Sequence, residues 1–165
     1  MRRILTLAAA ALLFGGLPAL AQSAGQTIDV GGWKVTRMHN PDGSFKQCNA
    51  TMTYDDKSIL GFAASAEKKV YVVIIEPEFK LTEGQVYKAS YKLDGTPAVA
   101  ADAIAASANT LVIPIASEGP FMDGAMAANS LTIEAGGQTI EEPLDGSKNA
   151  INQLGECAVA GITGK

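Results

Sequence analysis

The sequence predicts a mainly β protein: an antiparallel β-sandwich or partly open barrel of about eight or nine short strands, with a short C-terminal helix. Three observations predict it. Apolar and polar residues alternate with a period of two over many short segments, turns rich in Gly, Pro and Asp separate those segments, and a clear helical period appears near the C-terminus.

The first segment with strand character is Trp33-Lys34-Val35-Thr36-Arg37-Met38, after a short polar start. Asn40-Pro41-Asp42-Gly43 turns the chain, because Pro sets the first corner and Gly accepts the positive φ that closes it. A hairpin strand over Lys46–Tyr54 follows, then a second turn at Asp55-Asp56-Lys57-Ser58 and two further strands over Ile59–Ala64 and Lys68–Glu76. The segment Pro77–Gly84 interrupts the strands before Gln85–Leu93, which Asp94-Gly95 ends. In Ala98–Ala108 the alanines favour helix, but Thr96-Pro97 and the position between strands favour an extended edge. Thr110–Ala116 reads as a strand in which Pro114 implies an edge or a bulge, since proline cannot donate to a ladder. A short helix over Phe121–Ala128 precedes Ser130–Ala135 and Gln138–Leu144, two strands joined by Gly136-Gly137. The last element starts at Asp145-Gly146-Ser147, where a side-chain oxygen is expected to cap it, and Ala150, Ile151, Leu154 and Cys157 then share one helix face.

The 165 residues, 47% hydrophobic and 18% charged, suit one globular domain rather than a multidomain enzyme or a disordered chain. Residues 1–21 have the three parts of a cleaved signal peptide: Arg2-Arg3, an apolar run over Ile4–Phe14, and the small-residue site Ala19-Leu20-Ala21. The apolar run is about half the length that crosses a bilayer, so no transmembrane anchor is expected after cleavage. The expected mature domain, 22–165, carries 11 basic and 17 acidic residues, a formal charge of −6, which gives no electrostatic reason to bind nucleic acid. Export implies a periplasmic or secreted bacterial protein. Both cysteines, Cys48 and Cys157, lie in this domain, and in an oxidising compartment an even count is most simply one disulfide.

The order of motifs resembles the invasion-associated locus B family of small exported bacterial proteins. The resemblance runs through Trp33-x-Val35 followed by Cys48, an apolar strand ending at Pro77, and Leu81-Thr82-Glu83-Gly84 before another strand. It continues through a short helix, Ala128-Asn129-Ser130-Leu131-Thr132-Ile133, Pro143-Leu144 and the closing helix from Gly146 to Leu154. It implies an envelope protein of β architecture, sometimes tied to host-cell invasion, with no enzymatic residues to carry over. The chain departs from the pattern at Arg37, where the family commonly has cysteine, lacks the middle cysteine pair and adds Cys157, so the family's disulfide scheme does not transfer.

Catalytic and metal signatures are weak, and no catalytic, cofactor or metal residues are assigned. His39, the single histidine, stands before a turn and no nucleophile elbow accompanies it. Met38 and Met52 could offer soft ligands to copper, yet such a site usually needs more than one imidazole or thiolate. The carboxylate pairs Glu76/Glu78 and Glu141/Glu142 flank prolines, and acid–base work would require one of a pair to be desolvated. Trp33, Phe79, Tyr87 and Tyr91 are either core packing or a contact surface. The expectation is therefore a non-catalytic exported protein that binds a protein or envelope component. A carrier of a small apolar ligand, a protease inhibitor presenting Pro77–Gly84, and a hydrolase are the alternatives.

Overall fold

The computed structural model describes residues 25–164; the expected signal peptide lies outside them. Ten strands form one antiparallel sheet: β1 (Thr27–Val30), β2 (Trp33–His39), β3 (Phe45–Thr53), β4 (Ile59–Ser65), β5 (Val70–Ile75), β6 (Val86–Leu93), β7 (Val99–Ser107), β8 (Thr110–Pro114), β9 (Ser130–Ala135) and β10 (Gln138–Pro143). Two helices complete the chain, α1 (Glu118–Ala127) and α2 (Ser147–Thr163). The strand order is β1-β2-β3-β4-β5-β8-β7-β6-β9-β10, so β5, β8, β7 and β6 make a Greek key and the sheet stays open between β1 and β10.

The strand missing from the sequence reading is β1, four residues of the polar start that pair with β2 across a Gly31-Gly32 turn. Alanine-rich β7 is a strand, because both of its neighbours supply ladder partners. The edge expected at Pro114 is not found: β8 is an interior strand between β5 and β7. Proline is accommodated because it is the last residue of β8 and the pairing with β7 ends at Val112, so no ladder bond from residue 114 is needed on that side. The irregularity falls instead in β7, between Ala105 and Ser107.

The sheet curls so that one face is concave and filled. Cross-strand rows place Val35, Ala50, Phe62, Val72 and Ile113 on that face, all buried. Trp33 stacks on Phe62 with ring centroids 5.5 Å apart, Phe62 meets Phe121 edge-on, and Phe121 meets Tyr91 at 5.3 Å. This line of rings joins β2, β4, α1 and β6 through the core. α2 lays Ala150, Ile151 and Leu154 into the concave face over β2, β3 and β4.

The start of α2 differs from expectation. Gly146 precedes it with φ 76° and no side chain caps it; the Ser147 hydroxyl instead donates to the Ala125 carbonyl at 2.8 Å, tying α2 to α1. Downstream, Cys157 forms a disulfide with Cys48 of β3, with the Cα atoms 6.1 Å apart. Close approach at that end requires Gly161, because a Cβ there would collide with the Phe45 ring.

Candidate functional site

Curling brings β10 and its link to α2 against the ends of β2, β3, β4 and β5 at a seam. The Tyr54 hydroxyl, just beyond β3, donates to the Pro143 carbonyl at 2.7 Å, and the Trp33 indole N–H donates to the Asp145 carbonyl at 2.8 Å. Ser58, in the turn between β3 and β4, lies 2.9 Å from Glu142 Oε1 and 2.7 Å from Asp56 Oδ1. These contacts close one end of the seam. Toward Gln138 it opens into a groove of about 720 Å³ lined on one side by Glu76, Pro77 and Glu78 and on the other by β10.

Both carboxylate pairs singled out in the sequence therefore converge on one groove, although they are more than sixty residues apart in the chain. Glu142 is 6% exposed, and burial pushes its carboxyl pKa up, with Asp56 and Glu76 adding to the rise and Ser58 opposing it. Asp56, exposed and bonded by the Ser58 hydroxyl and N–H, is held below the usual carboxylate range. One hydroxyl has one proton. The Ser58 hydroxyl therefore donates to either Asp56 or Glu142 at a given moment, not to both. Burial also raises the Tyr54 pKa, helped by the nearby carboxylates of Glu142, Asp145 and Asp56, so its hydroxyl stays protonated and donating.

A test follows from the sign of this shift. A carboxyl whose pKa is raised by folding destabilises the native state above that raised value, and the penalty is relieved as pH falls toward the unfolded value near 4.3. Glu142→Gln keeps the Ser58 hydrogen bond without a charge. It is expected to be more stable than the parent at about pH 7, and the gain is expected to shrink at about pH 4, near the unfolded carboxyl value. Urea denaturation at both pH values measures it, and a variant less stable than the parent at neutral pH contradicts the assignment.

The second feature is the convex face. Side chains of Ile59, Gly61 and Ala63 on β4, Tyr71, Val73 and Ile75 on β5, and Thr110, Val112 and Pro114 on β8 point outward, and none is charged. The row continues through Ile104 of β7 to Val86 of β6, which are 45% and 55% exposed and sit directly opposite one another. The Lys88–Asp102 ion pair, 2.7 Å long, borders it. The aromatic rings that pack against the core line lie on the other side of the sheet.

Of the aromatic residues proposed from the sequence, Trp33, Phe79 and Tyr91 are buried in the core cluster. Tyr87 is half-buried, its hydroxyl oxygen accepting the Thr82 N–H at 3.0 Å. Tyr71 lies on the convex face. Met38 and Met52 occupy opposite faces of the sheet, since Met38 shares the outward row of Asn49 while Met52 packs against the core. His39 ends β2 in an exposed position. The Pro77–Gly84 segment lies pinned to the body, with Phe79 buried and the Leu81 and Gly84 N–H groups donating to Ala108 and Ala105 carbonyls. Among the described residues, no helix is long and apolar enough to cross a membrane.

No protein-family model matches this chain, and no curated protein matches it. Among solved structures it is similar to the crystal structure of invasion associated protein B from Bartonella henselae, with a TM-score of 0.52 and 15% identity. The match covers 80% of this chain and 97% of that one. At this identity the likeness is one of fold, and it agrees with the architecture implied by the motif order.

Proposed function

We propose that this chain is an exported, non-catalytic contact protein of the bacterial envelope that docks a protein partner on the uncharged convex face. The observation that carries the reading is an outward sheet face five strands wide without one charged side chain over β4, β5 and β8. A surface that only meets water gains nothing from Ile59, Val73, Ile75 and Val112 together. At roughly 4.8 Å between strands and 3.4 Å per residue, its footprint is on the order of 300 Å². That suits a functional patch on a monomer and falls short of the roughly 800 Å² per partner of a stable complex, so the contact is a non-obligate one with an apolar centre and a polar rim. The disulfide supports an oxidising compartment, and the likeness to invasion associated protein B is compatible with an invasion-associated role.

Replacing the opposed pair Val86 and Ile104 by Lys and Glu (V86K/I104E) puts charges on this face while preserving a cross-strand attraction. The variant is expected to keep its stability within about 0.5 kcal/mol and to lose at least tenfold in partner retention. Pull-down from envelope extracts of the source cells, parent against variant, measures this. Identical retained proteins in both arms would remove the convex face as the docking surface.

A further inference from the structure

The seam carries a second inference, separate from the convex face. The geometry points to its open end as a slot for an extended peptide segment bearing Lys or Arg, which adds as a strand to the free edge of β10.

The edge comes first. β9 and β10 are joined by the two-residue turn Gly136-Gly137, with Ala135 opposite Gln138. Antiparallel alternation then turns the backbone groups of Gln138, Ile140 and Glu142 toward β9 and those of Thr139 and Glu141 away from it. Pro143 has no N–H, and its outward carbonyl already accepts from Tyr54. The edge is thus closed where the seam is closed, and it offers two N–H and two C=O groups where the groove begins. Their spacing matches an extended main chain, and β-strand addition is how such an edge is recognised.

The groove selects the charge. Asp56, Glu76, Glu78 and Glu141 line it together with buried Glu142, and no Lys or Arg is among its lining residues. Glu142 is more than nine-tenths buried, it faces this space, and no cation stands within ion-pair distance of it among the described residues. Its neighbours in space are carboxylates and hydroxyls: Asp56 and Ser58 from the β3–β4 turn, Tyr54 before it and Glu76 after β5. A bare metal ion is the poorer occupant, because no three His, Cys, Asp or Glu residues among those described are grouped to hold one. A strand with basic side chains satisfies the backbone edge and the carboxylates at once.

The test uses a fluorescent ten-residue peptide of alternating Lys and Val, with a Glu-for-Lys copy and a fully N-methylated copy, in 150 mM NaCl (about an 8 Å screening length). The lysine peptide is expected to bind saturably and to shift the Thr139 and Glu141 amide resonances. The N-methylated and the glutamate copies are each expected to bind at least tenfold more weakly. Thr139→Pro, which removes one outward N–H, and the charge reversal E76K/E78K should each weaken binding at least tenfold. V86K/I104E should leave it unchanged, which keeps this outcome distinct from that of the convex face. Absence of saturable binding overturns the inference. So does equal binding of the N-methylated copy, which would indicate attraction to charge alone. Should Thr139→Pro lose its folded amide spectrum, the N-methylated comparison on the parent protein decides the matter.

Discussion

Removing the Cys48–Cys157 disulfide, as C48A/C157A, is expected to destabilise the fold by about 3 to 5 kcal/mol and lower the thermal midpoint by roughly 10 to 15 °C. The two cysteines are 109 residues apart, so the link restricts about two thirds of the unfolded chain, and the loop-closure entropy for about a hundred residues approaches 5 kcal/mol. Alanine rather than serine is the appropriate replacement at Cys48, which is fully buried on the concave face where an unpaired hydroxyl would add its own penalty. The same bond is what keeps the second half of α2 against β3, because the buried helix face ends at Leu154, one turn before Cys157. Calorimetry of the parent with and without dithiothreitol, alongside the variant, measures the effect. A midpoint change below about 3 °C would mean that packing alone holds the helix.

Trp33→Ala is expected to lose about 3 to 5 kcal/mol, the range for deleting a fully buried large aromatic side chain. Trp33 is where the two halves of the chain meet. Its ring stacks on Phe62, and its N–H holds the Asp145 carbonyl in the link between β10 and α2. Trp33→Phe separates these contributions: the stacking remains and the hydrogen bond is lost, leaving a part-buried carbonyl without that donor, at about 1 to 2 kcal/mol. As Trp33 is the one tryptophan of the sequence, urea unfolding of the parent can be followed by its fluorescence, and circular dichroism serves for the variants. A Trp33→Ala variant within 1 kcal/mol of the parent would show that this corner does not unite the fold.

Local chemistry made most of the elements legible. Alternation marked β2 and β6, the Asn40–Gly43 and Gly136-Gly137 turns marked two hairpins, and the i, i+4, i+7 spacing placed Cys157 on the same side of α2 as its buried residues. The misses have physical causes. β1 is too short for four residues to display a period, and it exists because β2 supplies its partners. α1 begins at Glu118 rather than Phe121, since Gly119-Pro120 reads as a break although proline is tolerated in a first helical turn. The start of α2 has no side-chain cap because its N-cap position is Gly146, which has no side chain, while Ser147 spends its hydroxyl on another helix.

The candidate surfaces were less legible, for a related reason. The run Val70–Ile75 is apolar at every position, which is the signature of a strand buried on both faces, and sequence alone does not reveal that its outward residues Tyr71, Val73 and Ile75 stay only half-buried. Each pair of glutamates was visible beside its proline. Their convergence depends on the curl of ten strands, which no local pattern encodes.

The way the first strands meet the last helix has a consequence for biosynthesis. A polypeptide emerges from its N-terminus, yet β2 and β3 cannot acquire their covering layer until α2 has been made, more than ninety residues later. For most of synthesis the nascent chain must therefore expose the inner rings of its opening hairpin, and truncation before residue 157 would leave an adhesive intermediate rather than a smaller folded unit.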